Sequence, residues 1–217
     1  MSPWLAVALV LAVLGGSMAL LSAGAATEAR RKLLHLEMGA VVLGFPWWFP
    51  AAWPVLVLAG AALAWFGAVR FSRRLAARFG PVLRVDGRDS LGEVWFTLGV
   101  CLTFLLSEGD ALAYCIAILV LTLADAAAAL VGLRFGRQRR VPGGGSKSLA
   151  GCGAFFAVAF TVVLLALWLV AGWAPLPALR AALLVAVITT FIEVLLVKGL
   201  DNLFVPLGAL AALQLAA

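Results

Sequence analysis

The chain has 217 residues, of which 65% are hydrophobic and only 12% charged, with a mean hydropathy of +1.13 and a formal net charge of +6. Soluble domains average roughly 45–50% apolar residues, so this composition excludes an ordinary soluble fold and predicts helices that cross a bilayer. Three cysteines, Cys101, Cys115 and Cys152, lie scattered in apolar stretches without CxxC spacing, which excludes a disulfide framework or thiolate metal site and marks them as small core residues.

Span one covers about Pro3–Ala23 and reads as an uncleaved first helix, since no positive segment precedes its long apolar run. The cluster Arg30-Arg31-Lys32 leads into span two, about Leu33–Phe49, with His35 and Glu37 near its start. The knot Phe45-Pro46-Trp47-Trp48-Phe49-Pro50 predicts a tight interfacial turn before span three, about Trp53–Val69. From Arg70 onward, Phe71, Leu75 and Phe79 recur at helical spacing among arginines. That pattern predicts an amphipathic helix over about 70–80, lying among lipid headgroups and ended by Gly80-Pro81.

Span four, about Leu91–Leu106, carries Glu93 near its start, and the acidic turn Ser107–Asp110 leads to span five, Ala111–Leu133, which contains Asp125. A basic glycine-rich loop over 134–148 follows, then span six over about Leu149–Ala171 and span seven over about Arg180–Val197, with Glu193 near its end. A last short span covers Leu203–Leu215. The expected architecture is therefore an all-α polytopic bundle of about seven or eight spans, a single membrane domain over 1–217.

Of the 16 lysines and arginines, all but Arg180 fall in the loops after spans one, three, five and seven. The positive-inside rule places those loops in the cytoplasm and both termini outside. The net positive charge is thus topological, with anionic lipids rather than nucleic acid as its expected partner. In this arrangement every ionisable residue in or near the apolar segments falls in the cytoplasmic half. Buried acids are costly unless paired or hydrated, so one shared polar pocket is the economical reading.

Asp125 is the strongest candidate within it, because no basic residue lies within eight positions on either side. It reads as a metal ligand, or else as a polar helix–helix contact helped by the alanines that follow. Gly143, Gly144, Gly145, Lys147 and Ser148 precede a helix and suit phosphates held by backbone N–H groups and an ammonium. This is not a Walker A loop, since Ser146 stands where GxxxxGK[ST] needs glycine and no strand precedes it. Glu193 and Asp201 flank the last cytoplasmic turn as metal or nucleotide contacts, although Asp201 and Asn202 also suit a helix N-cap. His35, the lone histidine, is either a proton acceptor or a structural partner of Glu37. Arg31, one turn earlier, suits a phosphate clamp.

Taken in order, Arg31-Lys32-Leu33-Leu34-His35, Glu93, Asp125-Ala126-Ala127-Ala128-Ala129-Leu130-Val131-Gly132, Gly136, Lys147-Ser148, Glu193, Gly199-Leu200-Asp201-Asn202-Leu203 and Pro206 resemble the phytol kinase/dolichol kinase family. The resemblance spans about 30–206. It implies a membrane-embedded kinase that passes the γ-phosphate of CTP to an isoprenoid alcohol from the bilayer, with Mg²⁺ as cofactor. It further implies Asp125, His35, Lys147 and Glu193 as catalytic residues and Asp125, Glu193, Asp201 and Glu93 as metal ligands. Arg31, Lys32, Gly143, Gly144, Gly145, Lys147, Ser148, Asp201 and Asn202 would contact the nucleotide. One position departs from the pattern: Ala150 stands where the family motif has an acidic residue after Lys-Ser. A CTP-dependent cytidylyltransferase is the main rival reading, and a transporter is a weaker one.

Overall fold

In a bilayer the backbone must satisfy its own hydrogen bonds, and this sequence does so almost wholly with helices. The computed structural model of the protein describes residues 2–22, 27–83, 91–137, 139–141 and 145–216. The N-terminal half contains α1 (Pro3–Ser22), α2 (Glu28–Val42), α3 (Phe45–Trp48), α4 (Trp53–Phe71), α5 (Arg73–Leu83) and α6 (Gly92–Leu106). One continuous helical run follows, made of α7 (Ala111–Leu119), a π-helical turn (Val120–Ala124) and α8 (Asp125–Phe135). Strands β1 (Arg139–Val141) and β2 (Gly145–Lys147) precede α9 (Leu149–Leu165), a second π turn (Ala166–Val170), α10 (Pro175–Leu195) and α11 (Asp201–Ala216).

Among the described residues, five helical runs are long and apolar enough to cross a membrane: Pro3–Ser22, Trp53–Phe71, Ala111–Phe135, Leu149–Val170 and Pro175–Leu195. Helices α6 and α11 are apolar but shorter. The Ala111–Phe135 run is the axis of the bundle. It is apolar on every side through Leu123, which is the pattern of a helix surrounded by others. Tyr114, Ile116, Ala117, Ile118, Val120, Leu121 and Ala124 are all buried, and residues of α1, α6, α9, α10 and α11 complete the same core.

Helix α2 is fastened along this axis at three levels. The Tyr114 hydroxyl donates to the Val42 carbonyl oxygen at 3.0 Å. Gly39 meets Thr122 of the π turn so closely that a Cβ there would overlap the threonine side chain. One and two turns earlier, His35 and Lys32 reach Asp125. Between helices in lipid there is little hydrophobic drive, so close approach at small residues and buried polar contacts do the holding. The same logic joins α8 to α9, where a Cβ on Gly151 would lie 2.8 Å from the Ala128 carbonyl oxygen.

Two local expectations are corrected. The stripe Phe71–Leu75–Phe79 is broken at Ser72, whose extended backbone (φ −92°, ψ 118°) ends α4 and starts a new helix. Phe71 is left 88% exposed, and α5 runs through Gly80-Pro81 to Leu83 instead of stopping there. The reason is packing: Phe79 and Leu83, four residues apart on one face, are buried with Met18, Leu34, Phe66 and Val69 in a second small core. The glycine-rich loop likewise contains a short antiparallel hairpin, with Arg139 paired to Lys147 and Val141 to Gly145.

The Gly39 contact yields a test. Gly39→Val forces a branched side chain into Thr122 and is expected to destabilise the bundle by about 1–3 kcal/mol. Gly60→Val, at a position with open space around it, should leave the detergent thermal unfolding midpoint nearly unchanged.

Candidate functional site

Asp125 is the first residue after the π turn of the central run. Such a turn inserts an extra residue into the helical ladder and re-aims the side chains beyond it, and π turns recur at functional sites. Lys32 Nζ lies 2.5 Å from Asp125 Oδ2, with the lysine side chain only 4% exposed. His35 Nε2 is 3.4 Å from the same oxygen, buried and outside hydrogen-bonding geometry, while the Phe96 ring meets the imidazole edge-on at 5.2 Å. Helical spacing on α2 explains the pair, since residues three apart share a face.

A second half of the cluster arrives from the C-terminal helices. Lys147, at the end of β2, donates to Glu193 Oε1, and its Nζ lies 3.4 Å from Asp201 Oδ2. Burial alone would lower the Lys147 pKa, but the Glu193 and Asp201 carboxylates outweigh that and hold it above its ordinary value. Asp201 can stand beside Glu193 because the chain reverses between α10 and α11 through two left-handed residues, Lys198 (φ 60°) and Gly199 (φ 87°). Glycine takes that conformation without the Cβ penalty.

Asp125, Glu193 and Asp201 thereby bring carboxylate oxygens within 4.8 Å of one another. Two unit charges at that distance repel by about 3–4 kcal/mol at an effective dielectric of 20, so three pairs are costly without cations. Lys32 and Lys147 supply two positive charges against three negative ones. The Glu193 Oε2 atom, moreover, is buried without a hydrogen-bond partner among the described residues. Hard carboxylate oxygens, a residual negative charge and an unpartnered buried lone pair fit a divalent cation such as Mg²⁺.

The remaining expected residues are placed differently. Arg31 is held by Glu28 in a two-point pair, Nε to Oε2 at 3.0 Å and Nη2 to Oε1 at 2.5 Å. Asn202 is buried and donates from Nδ2 to the Gly92 carbonyl oxygen at 2.9 Å, tying α11 to the start of α6. That bond takes up one amide N–H expected to face a nucleotide. The Ser148 hydroxyl oxygen accepts from Gly151 N–H at 3.1 Å and so caps α9. Glu93 is half-buried in the first turn of α6 and does not belong to the three-carboxylate group. Glu37 accepts from the Ser17 hydroxyl of α1, so His35 faces Asp125 rather than Glu37. Gly143 and Gly144 lie outside the described residues, while Gly145 opens β2.

Glu28 is the residue that sequence reasoning passed over. Its signal was an acid three residues before an arginine at a helix start, a spacing that pairs side chains.

Fold and site together define an integral membrane protein that gathers acids and lysines from five chain segments at one end of a helical bundle. The chain is 34% identical to a phytol kinase of Synechocystis sp. over 184 residues, which is 84% of this chain and 76% of that protein. It belongs to the phytol/polyprenol kinase family. No family model matches the chain, and no solved structure matches it.

The Lys32–Asp125 pair can be tested by stability alone. Lys32→Met leaves a buried carboxylate without its ammonium and should cost about 3–5 kcal/mol in unfolding free energy without added divalent cations. The double variant Lys32→Met/Asp125→Asn should recover part of that loss, since the stranded charge is gone.

Proposed function

We propose that the protein is a membrane lipid kinase transferring the γ-phosphate of CTP to an isoprenoid alcohol, such as phytol, geranylgeraniol or a polyprenol. The observation that carries the reading is the convergence of Asp125, Glu193 and Asp201 with Lys32, Lys147 and His35, in a chain that belongs to this kinase family. Asp125, Glu193 and Asp201 would hold Mg²⁺, which when bound offsets the negative charge of the nucleotide phosphates.

The protein's own groups then supply positioning and a proton acceptor. Lys147, on the hairpin that leads into α9, is placed to meet a terminal phosphate as a point charge. The alcohol oxygen forms a bond to the γ-phosphorus as the bridging bond to the β-phosphate breaks, and the electron pair leaves with CDP. The hydroxyl proton passes to His35 Nε2, and the imidazolium so formed sits 3.4 Å from Asp125 Oδ2. Positioning the reactants in line and neutralising the phosphate charge together account for most of the rate enhancement in this reaction type.

In this reading α2, α6 and α11 join the five long runs as three further crossings, making eight, with both termini outside and the site on the cytoplasmic side. The exposed Arg73, Arg74 and Arg78 on α5 face anionic headgroups there. The alcohol enters between helices from the bilayer with its hydroxyl at the inner interface.

A nucleotide-product assay on detergent-purified protein tests the proposal, using CTP, Mg²⁺ and a panel of lipid alcohols and lipid phosphates beside Asp125→Asn. CDP formed only with an alcohol is the expected result, with a loss of about a hundredfold or more in the variant. Pyrophosphate formed from a lipid phosphate would instead make the protein a cytidylyltransferase.

A further inference from the structure

The geometry points to Glu28 as a positioning residue that fixes the Arg31 guanidinium so that its opposite edge grips the phosphates of the nucleotide. This inference rests on the kinase reading and concerns a residue outside the acid–lysine cluster. The two oxygens of Glu28 bind Nε and Nη2 of Arg31 at 3.0 and 2.5 Å. A guanidinium carries five N–H donors in a rigid planar fork. With two used by Glu28, three remain without a partner among the described residues, suited to a second oxyanion.

Location supports a ligand on that edge. Arg31 precedes Lys32, whose ammonium rests on Asp125, and its charge is within electrostatic reach of both Asp125 and Asp201. Yet the Arg31 side chain is 34% exposed where that of Lys32 is 4% exposed. Of the two neighbouring cations, the lysine is committed to the buried acid and the arginine keeps access to an incoming anion.

Stability is one reason for the pair, since part-buried partners one helical turn apart hold each other in place. Orientation is a stronger one. A free arginine side chain loses rotamer entropy whenever it binds phosphate. Glu28 restricts those rotamers before the nucleotide arrives. Its negative charge opposes phosphate binding, but partial exposure of both groups screens that effect.

The test is a double-mutant cycle on the full-length protein in detergent or nanodiscs. It reads the KM for CTP·Mg²⁺, the kcat and, independently, equilibrium binding of a fluorescent CTP analogue. Glu28→Ala is expected to raise KM and the dissociation constant by about fivefold, with kcat falling by less. Arg31→Lys keeps a charge but removes the fork, and should weaken binding similarly. The double variant should be no worse than Arg31→Lys alone, because Glu28 acts through the guanidinium. A purely structural Glu28 would lower the unfolding midpoint and leave KM unchanged, which overturns the assignment. Tighter CTP binding by Glu28→Gln overturns it too, since charge rather than orientation would then dominate. Additive losses in the cycle have the same meaning. Wild-type protein that turns over CTP normally beside an unaffected Glu28 variant sinks this inference alone. A wild type that neither binds CTP nor transfers phosphate sinks it along with the kinase reading.

Discussion

Everything at the polar end of this bundle depends on one contact, the ammonium of Lys32 against the carboxylate of Asp125. An isolated carboxylate on the central helix would be expensive in any low-dielectric surrounding, by several kcal/mol even after relaxation. The lysine that offsets it lies 93 residues away in sequence, on a helix with few apolar reasons to be there. Hence the closeness of Gly39 to Thr122 and the Tyr114–Val42 hydrogen bond matter beyond their own energies. They set the depth and rotation of α2, and those decide whether Lys32 and His35 meet Asp125 or miss it.

The second half of the cluster uses a different device. Glu193 and Asp201 are eight residues apart across a chain reversal, and Lys147 bridges them from a hairpin. Together the halves form a graded set of charges: a buried pair at Lys32–Asp125, a bridged acid pair at Lys147, and the more accessible, part-buried Glu28–Arg31 fork. Charge density is therefore highest where the carboxylates meet and eases toward the surface. Such an arrangement suits a ligand that is itself polyanionic at one end and carries a metal.

Much of this was legible in the sequence, and the reasons differ by feature. Hydropathy reports membrane-length helices directly, so Pro3–Ser22, Trp53–Phe71, Ala111–Phe135 and Leu149–Val170 emerge close to their expected bounds, while Pro175–Leu195 starts five residues before the expected Arg180 because Pro175 opens its first turn. Charge in an apolar run is equally visible, which is why Asp125, Glu193 and His35 stood out; Asp201 and Lys147 stood out in the adjoining loops, and Lys32 only through the family resemblance. Partners were not visible. No spacing rule links Lys32 to Asp125, and a helical pattern cannot show that a π turn precedes that aspartate. The break at Ser72 was hidden because Phe71, Leu75 and Phe79 keep helical spacing across it; only the burial of Leu83 beside Phe79 shows where the apolar face lies. Asn202 and Ser148 carry side chains that serve a cap or a ligand equally well. The structure uses them to tie α11 to α6 and to cap α9.

The order of these charges along the chain has a consequence for biogenesis. A membrane protein is threaded into its bilayer from the N-terminus, and each acid must find a counter-charge soon after it enters. Lys32 is made before Asp125, so the central helix arrives to a waiting ammonium. Lys147 likewise precedes Glu193 and Asp201. In both halves the cation is translated first, at a helix start or in a loop. Each buried acid thus follows the cation that receives it, and a cation misplaced in one step strands a charge in the next.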